Sequence, residues 1–166
     1  MGIVMGKKDD KTNVMRVLEQ KKIEYESVML DNAEGLSGEE IAQKLGENPN
    51  QAFKTLVTVG KAGEHYVFVV PVASELDLKK AASAVKEKAV EMIKQRDLLP
   101  LTGYVHGGCS PIGMKKFFRT VIDESALLYD SIYFSAGKIG CQVRVATEDI
   151  QKVINVEFID IVKQGG

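Results

Sequence analysis

Apolar residues recur along this chain with helical spacing in some segments and strand spacing in others. Val14, Val17 and Leu18 fall on one face of a helix. Thr12 or Asn13 precedes them and is suited to cap that helix. The pattern therefore predicts an amphipathic helix near the start of the chain.

Capping residues predict three more helices. Ser37 and Glu40 form a capping box ahead of an apolar stretch that stops at a glycine. Asp77 caps the next predicted helix, whose inward positions are Leu78, Ala81, Ala82 and Val85. Thr147 is predicted to cap a last helix that runs through Ile154.

Strand signals lie between these helices. Residues 54–59 and 65–72 alternate as strands and flank a glycine-containing turn, which predicts a hairpin. Further strands are predicted over 119–123, 131–135, 141–146 and 156–161. Strands and helices come in clusters rather than in strict βα alternation. This order favours an α+β fold with a mixed sheet over a doubly wound parallel sheet.

Length and charge restrict the domain count and the partners. The chain has 166 residues, of which 45% are apolar, and this suits one domain with its own core. We expect residues 1–10 to be a disordered segment and residues 11–166 to form the domain. The formal net charge is −1, whereas a free-standing nucleic-acid binder usually carries a basic surplus. If this protein acts on RNA, local basic patches or a partner must hold the RNA.

Cysteine usage and hydropathy predict a cytoplasmic protein. Cys109 and Cys141 form no CxxC pair, and a chain of this size needs no single bridge, so we expect reduced thiols. The two histidines and two cysteines show no metal-ligand spacing, and we expect no metal or other cofactor. No apolar run approaches the ~18 residues of a membrane span, so no membrane partner is expected.

The most informative stretch is glycine-rich and reads GYVHGGCSPIG over residues 103–113. Glycine permits positive φ and close approach of a ligand to the backbone, and Pro111 restricts the turn. Such a loop can present peptide N–H groups to a small polar group, for example an ester carbonyl. On its residues alone, a plain surface turn is equally consistent with the pattern.

This loop, together with Met114, Lys115 and Lys116 after it, resembles the YbaK/EbsC family of aminoacyl-tRNA deacylases, relatives of the editing domain of prolyl-tRNA synthetases. The resemblance spans most of the chain from Val14 onward. It implies a curved, barrel-like mixed sheet surrounded by helices. It also implies trans-editing of mischarged Cys-tRNA(Pro) or Ala-tRNA(Pro). The expected partners are the acceptor end of proline tRNA carrying a small amino acid, and prolyl-tRNA synthetase.

The resemblance also implies site residues. Lys54 opens a predicted strand, where family members carry the lysine most needed for activity. From position alone, Lys54 could be a solvent-facing strand residue. The family instead implies that it binds the terminal phosphate of the tRNA or the ester carbonyl. The implied substrate contacts are Thr55, Gly107, Gly108, Cys109, Ser110, Pro111, Ser135, Gly137 and Gln142.

Two positions depart from cysteine-selective members of the family. Leu30 stands where those members carry a tyrosine, and Gln142 stands where they carry an aspartate. These departures leave the substrate amino acid open. They also favour an alternative, a non-catalytic module that binds aminoacyl ends or a partner. A third interpretation makes Cys109 a nucleophile beside His106, but a cysteine here is more often a small, semi-buried wall residue.

Overall fold

The computed structural model describes residues 3–4 and 11–164. Its nine strands, β1 to β9, are Ile3–Val4, Tyr25–Leu30, Phe53–Gly60, His65–Pro71, Val90–Met92, Arg119–Asp123, Ser131–Lys138, Cys141–Ala146 and Val156–Ile159. Its five α-helices, α1 to α5, are Asn13–Gln20, Gly38–Leu45, Leu78–Ala84, Gln95–Thr102 and Thr147–Ile150. The disordered segment expected over 1–10 lies outside the described residues, except that Ile3–Val4 pair with β2.

The strands form two sheets that meet at one bridge. The first sheet has the order β1-β2-β8-β7 and is antiparallel throughout. The second has the order β5-β3-β4-β6-β9, and its β4–β6 and β6–β9 pairs are parallel. A parallel bridge between Ala52 and Tyr133 joins the start of β3 to β7. The predicted α+β class is therefore confirmed, although the sheets do not close into a barrel.

The main core lies between the inner faces of the two sheets. Its fully buried side chains include Leu18 of α1, Val57 and Val67 of the second sheet, and Phe134 and Val143 of the first. A second cluster, with Phe68, Val70 and Val121, packs under α3 on the other face of the second sheet. Helix α2 covers the outer face of the first sheet near the bridge. Strands β7 and β8 therefore pack against the second sheet on their inner face and against α2 on their outer face.

The helix starts follow the predicted caps. The Thr12 side chain accepts the amide of Met15, Ser37 and Glu40 form both bonds of the capping box, and Asp77 accepts two amides of α3. Leu78 was expected to point inward, but it is 39% exposed because it occupies the first turn, beside the cap.

The last helix was predicted too long. Helix α5 ends at Ile150, because the amides of Val153 and Ile154 both turn back to its carbonyl oxygen. Thr147 lies inside the helix, and its hydroxyl donates to the carbonyl of Tyr129 instead of capping. The sequence patterns also missed α4, which contains a proline and buries only Leu98 and Thr102.

Candidate active site

Strand β3 brings Lys54 to the place where the two sheets meet. Ala52 and Tyr133, the bridge residues, pack in one cluster with α2. Because side chains alternate along a strand, Lys54 and Ser135, each two residues beyond a bridge residue, lie on the same face of their strands as Ala52 and Tyr133. Lys54 is half-buried, and its ammonium makes no ion pair or hydrogen bond within residues 3–4 and 11–164. This ammonium is therefore available for a phosphate or a carbonyl oxygen.

Thr55 lies on the opposite face of β3, because successive side chains of a strand point in opposite directions. Its Oγ1 is buried and makes no hydrogen bond in the described part of the chain. Buried hydroxyls normally have a partner, so this atom is a candidate ligand contact on the core side. The structure therefore places Thr55 next to Lys54 in the chain but not on the same surface.

The glycine-rich loop packs against the turn between β7 and β8. A Cβ on Gly108 would lie 3.1 Å from the amide nitrogen of Ile139 and 3.2 Å from the carbonyl carbon of Lys138. Gly107 has a φ of +87°, a conformation that side chains rarely adopt. Glycine is therefore favoured at both positions, by limited space at Gly108 and by backbone conformation at Gly107.

Two buried residues of the loop have amides that find no acceptor among the described residues. The Gly108 amide donates to the carbonyl of Val105 at 3.0 Å, and the Ile112 amide donates to Ser110 Oγ at 3.4 Å. The amides of Cys109 and Ser110 make no hydrogen bond to any described residue, although both residues are buried. Buried amides without acceptors are rare, and two in succession form a pair of donors for a ligand oxygen.

Neighbouring elements hold this loop in place. The Tyr104 hydroxyl donates to the carbonyl of Ile112 at 2.5 Å, and the Tyr104 amide donates to Thr102 Oγ1 at 3.0 Å. Asn13, in the first turn of α1, donates to the carbonyl of Gly113 at 3.3 Å. These bonds tie both halves of the loop to helices, so its amides are held in a defined direction.

Cys109 does not have the surroundings of a nucleophile. Burial raises the pKa of its thiol to about 12, so very little thiolate is present at neutral pH. His106 is exposed and makes no hydrogen bond with Cys109 in the described region. These contacts support the interpretation of Cys109 as a buried wall residue.

Strands β7 and β8 place Ser135 opposite Gln142. Ser135 Oγ accepts the amide of Gly137 at 3.0 Å, which bends the strand toward the turn. The Gln142 amide nitrogen, in the orientation that satisfies both groups, donates to the carboxylate oxygens of Glu47 at 2.5 and 2.8 Å. Both side chains of this last pair are almost fully buried.

Glu47 is a site residue that the sequence analysis missed. It directly follows the glycine that ends α2, where a charged residue normally indicates a solvated loop. Burial instead raises the pKa of its carboxyl group to about 7, and the hydrogen bond from Gln142 acts in the opposite direction. Leu30 packs in an apolar cluster with Ala33 and Ile41. The structure therefore keeps a buried carboxyl group beside Gln142.

The predicted site residues are spread along β7. The Ala52–Tyr133 bridge brings the start of β3, with Lys54, to this strand, Gln142 is opposite Ser135, and Gly108 packs against Lys138, about 10 Å further along at ~3.3 Å per residue. Thr55 faces the core instead. Pro111, after the free amides, lines a cavity of about 200 Å³ on the other side of the loop.

Free basic side chains surround the loop. Lys115, Lys116 and Lys138 are exposed and form no ion pair within the described ranges. Other basic residues have acidic partners, in the pairs Lys80–Asp160, Arg119–Glu157, Arg144–Glu26, Lys152–Asp149 and Lys163–Glu75. Unpaired cations are therefore present beside the loop despite the net charge of −1, although exposed lysines elsewhere, such as Lys61, Lys79 and Lys94, also form no ion pair in the described part of the chain.

Two further observations concern metal ions and membrane-spanning helices. Within the described residues, no group of three or more His, Cys, Asp or Glu side chains is arranged to hold a metal ion. None of the helices in that part of the chain has the length and hydropathy needed to cross a membrane.

The chain is similar to known editing proteins. The family model of the aminoacyl-tRNA editing domain matches residues 33–153. A protein of Enterococcus faecalis, named "Putative Cys-tRNA(Pro)/Cys-tRNA(Cys) deacylase EbsC", is 47% identical over 156 residues, which cover 93% of this chain and 95% of that protein.

Solved structures agree with this match. The crystal structure of "a putative trans-editing enzyme for prolyl tRNA synthetase" has a TM-score of 0.79 at 26% identity, over 92% of this chain and 96% of that one. A scaffold protein used for computational epitope grafting has a TM-score of 0.82 at 25% identity, over the same shares of the two chains. The sequence resemblance is thereby confirmed, and this chain belongs to the aminoacyl-tRNA editing domain family.

Proposed function

We propose that this protein is a trans-editing deacylase that hydrolyses the ester of cysteine or alanine mischarged onto proline tRNA. One observation carries the proposal: an unpaired, half-buried ammonium and two unpaired loop amides approach the same strand, β7. The family supports aminoacyl-tRNA as the substrate class, and the name of the Enterococcus relative supports a cysteinyl ester.

The reaction breaks the acyl C–O bond and returns a free amino acid and a tRNA hydroxyl. Negative charge develops on the carbonyl oxygen as the nucleophile adds, and the amides of Cys109 and Ser110 are the donors for that oxygen. Fixed donors of this kind contribute about 3–4 kcal/mol each in comparable sites. Lys54 holds the terminal phosphate, or assists at the carbonyl. Catalysis then depends on positioning and electrostatics.

The nucleophile comes from the substrate or from water. Cys109 is excluded by its raised pKa, which leaves the loop without an activated thiol. For an alanyl ester, water attacks the carbonyl, oriented by the ribose hydroxyl and the loop. For a cysteinyl ester, the resemblance implies attack by the substrate's own thiol.

The loop also restricts the size of the amino acid. Gly108 touches the backbone of the β7–β8 turn, and Pro111 is buried beyond the two free amides. A wall of backbone and short side chains admits small residues, and each additional methylene changes specificity by about 10–200-fold. Leucyl and phenylalanyl esters are therefore poor substrates.

The charge distribution suggests how RNA is held. Lys115, Lys116 and Lys138 provide a local basic rim, whereas the whole chain has no basic surplus. We infer weak binding of free tRNA, with prolyl-tRNA synthetase or another tRNA-binding partner presenting the acceptor end.

The decisive experiment replaces Lys54 by alanine. Lys54→Ala abolishes release of amino acid from Cys-tRNA(Pro) and Ala-tRNA(Pro), because it removes the ammonium that we assign to the substrate. Lys61→Ala, in the exposed β3–β4 turn, is the matched control and retains wild-type turnover. Circular dichroism confirms that both variants fold.

Two results would count against the proposal. Full activity of Lys54→Ala removes this lysine from the site. Single-turnover binding without release of any amino acid, in a panel of mischarged tRNAs, supports the non-catalytic module instead.

A further inference from the structure

Phe117 is an exposed aromatic residue directly beyond the substrate loop. Its side chain is 83% exposed, and no other large apolar residue of the described chain is more exposed. The neighbouring Phe118 is half-buried and packs against the main core. An isolated surface phenylalanine needs no special explanation. Phe117 differs because a groove and free lysines lie beside it.

A groove lies next to Phe117 and reaches the loop. It has a volume of about 200 Å³, and its apolar lining includes Val17, Met114, Phe118 and Ile154. The loop contributes the opposite wall, through the three residues that follow the free amides of Cys109 and Ser110. The groove is therefore continuous with the segment that we assign to the ester.

The charge beside the groove favours an anion. Lys116 lines the groove, Lys115 precedes it, and neither forms an ion pair in the part of the chain that the structure describes. Arg119, by contrast, is already bonded to Glu157 at 2.8 Å. A flat apolar surface with free cations at its rim complements a nucleotide, which joins an aromatic base to a phosphate.

We propose that Phe117 and the adjoining groove bind the unpaired base of the terminal nucleotide, the one that carries the ester, with Lys116 against its phosphate. This inference rests on the proposed function, because the ester in the loop sets where that nucleotide lies. Recognition of single-stranded RNA commonly uses aromatic side chains as stacking surfaces for unpaired bases. The exposed ring and the free lysines then belong to the substrate site, not to a separate surface.

The test compares a substrate that carries the terminal base with one that lacks both that base and the rest of the RNA. One is alanyl- or cysteinyl-tRNA(Pro), and the other is the corresponding aminoacyl ester of ribose 5-phosphate, which has no base. Phe117→Ala lowers kcat/KM for the tRNA by about 5- to 150-fold, mainly through KM, because one stacked base is lost. The same variant leaves kcat/KM for the ribose ester unchanged.

Two control variants accompany the test. Leu128→Ala removes a side chain that is 80% exposed elsewhere, and it leaves both substrates unaffected. Phe117→Trp retains a stacking surface and restores turnover of the tRNA. Both positions are exposed, so none of these variants endangers folding.

The outcomes separate this inference from the proposed function. Equal turnover of tRNA by the wild type and Phe117→Ala overturns the base site and leaves the deacylase intact. An equal loss on both substrates shows a structural role and also overturns it. If the wild type cleaves neither substrate, the proposed function itself has failed. A change in self-association without a change in RNA kinetics assigns Phe117 to contacts between copies.

Discussion

The two faces of strands β7 and β8 carry different chemistry. On the inner face, Phe134 and Val143 are fully buried between the sheets. On the outer face, Ser135 and Gln142 are polar, and they meet a buried carboxyl group and, across the bridge, a free ammonium. One pair of strands therefore anchors the fold with one set of side chains and forms the candidate site with the alternate set.

The difference bears on the proposed deacylase site, which we infer to work without a protein nucleophile. Side chains two residues apart on a rigid strand keep their relative direction, because the opposite face is packed. The inner face thereby limits the movement of the outer one. Polar groups placed on such a support retain the fixed geometry that positional catalysis requires.

The largest expected effect is on the free energy of unfolding, and it differs between substitutions on the inner and outer faces of β7. Phe134→Ala creates a cavity in the main core and lowers the free energy of unfolding by about 3–5 kcal/mol. Ser135→Ala loses one hydrogen bond, from the Gly137 amide, and costs about 1 kcal/mol. Urea denaturation measures both. We also expect the deacylation rate per folded molecule to fall in Ser135→Ala. Equal losses of stability in the two variants would contradict the division of roles between the inner and outer faces.

A second effect comes from the buried carboxyl group of the outer face. The pKa of Glu47 is about 7 in the folded protein and 4.5 as a free group, so the folded state binds its proton more tightly. The charged form of Glu47 therefore destabilises the folded state. This destabilisation is absent below pH 4.5, grows as the pH rises to about 7, and is constant above that pH. The free energy of unfolding falls by about 3 kcal/mol at most across this range, less what the Gln142 hydrogen bond recovers.

Substitution of Glu47 tests the sign of its contribution to stability. Glu47→Gln is more stable than the wild type at pH 8 and has a flatter dependence between pH 5 and 7, measured by urea denaturation. Glu39→Gln, exposed in the first turn of α2, follows the wild-type curve. A Glu47→Gln curve parallel to the wild type would show that this carboxyl group titrates normally.

The smallest effect concerns the glycine-rich loop, which packs against the turn between β7 and β8. Gly108→Ala places a Cβ against the backbone of Ile139, so the loop must move by a few tenths of an ångström. We expect deacylation to fall about 10-fold, because the free amides move with it. Gly63→Ala is the control: its φ is +89° and nothing lies within 4 Å, so it costs about 1 kcal/mol of stability without loss of turnover. Normal activity in Gly108→Ala would place the amides elsewhere.

Local signals predicted most of the elements. The capping box of Ser37 and Glu40, the cap at Asp77 and the β3–β4 hairpin depend on residues close in the chain, and all three are confirmed. Helix α4 and strands β1, β2 and β5 were missed, because tertiary contacts rather than a clear apolar period stabilise them. The length of the last helix was wrong, since a turn ends it without a strong breaker.

The residues of the candidate site also fall into two groups, those that the sequence indicates and those that only the fold reveals. Gly107, Gly108 and Pro111 could be singled out from the sequence, because a loop that approaches a ligand with its backbone needs those residue types. Glu47 could not be found, because only the fold buries it against Gln142. Lys54 stood out through the family resemblance, and its lack of an ionic partner is visible only in three dimensions.

By itself, the sequence determined the α+β class, the family and the glycine-rich loop, because these depend on local spacing, caps and residue types. The tertiary structure decided which groups meet. Within the described residues, it joined β3 to β7, left the amides of two buried loop residues and one half-buried ammonium without partners, and buried a carboxyl group that the sequence places in a loop. Such contacts arise from the packing of distant segments, and no local pattern contains them.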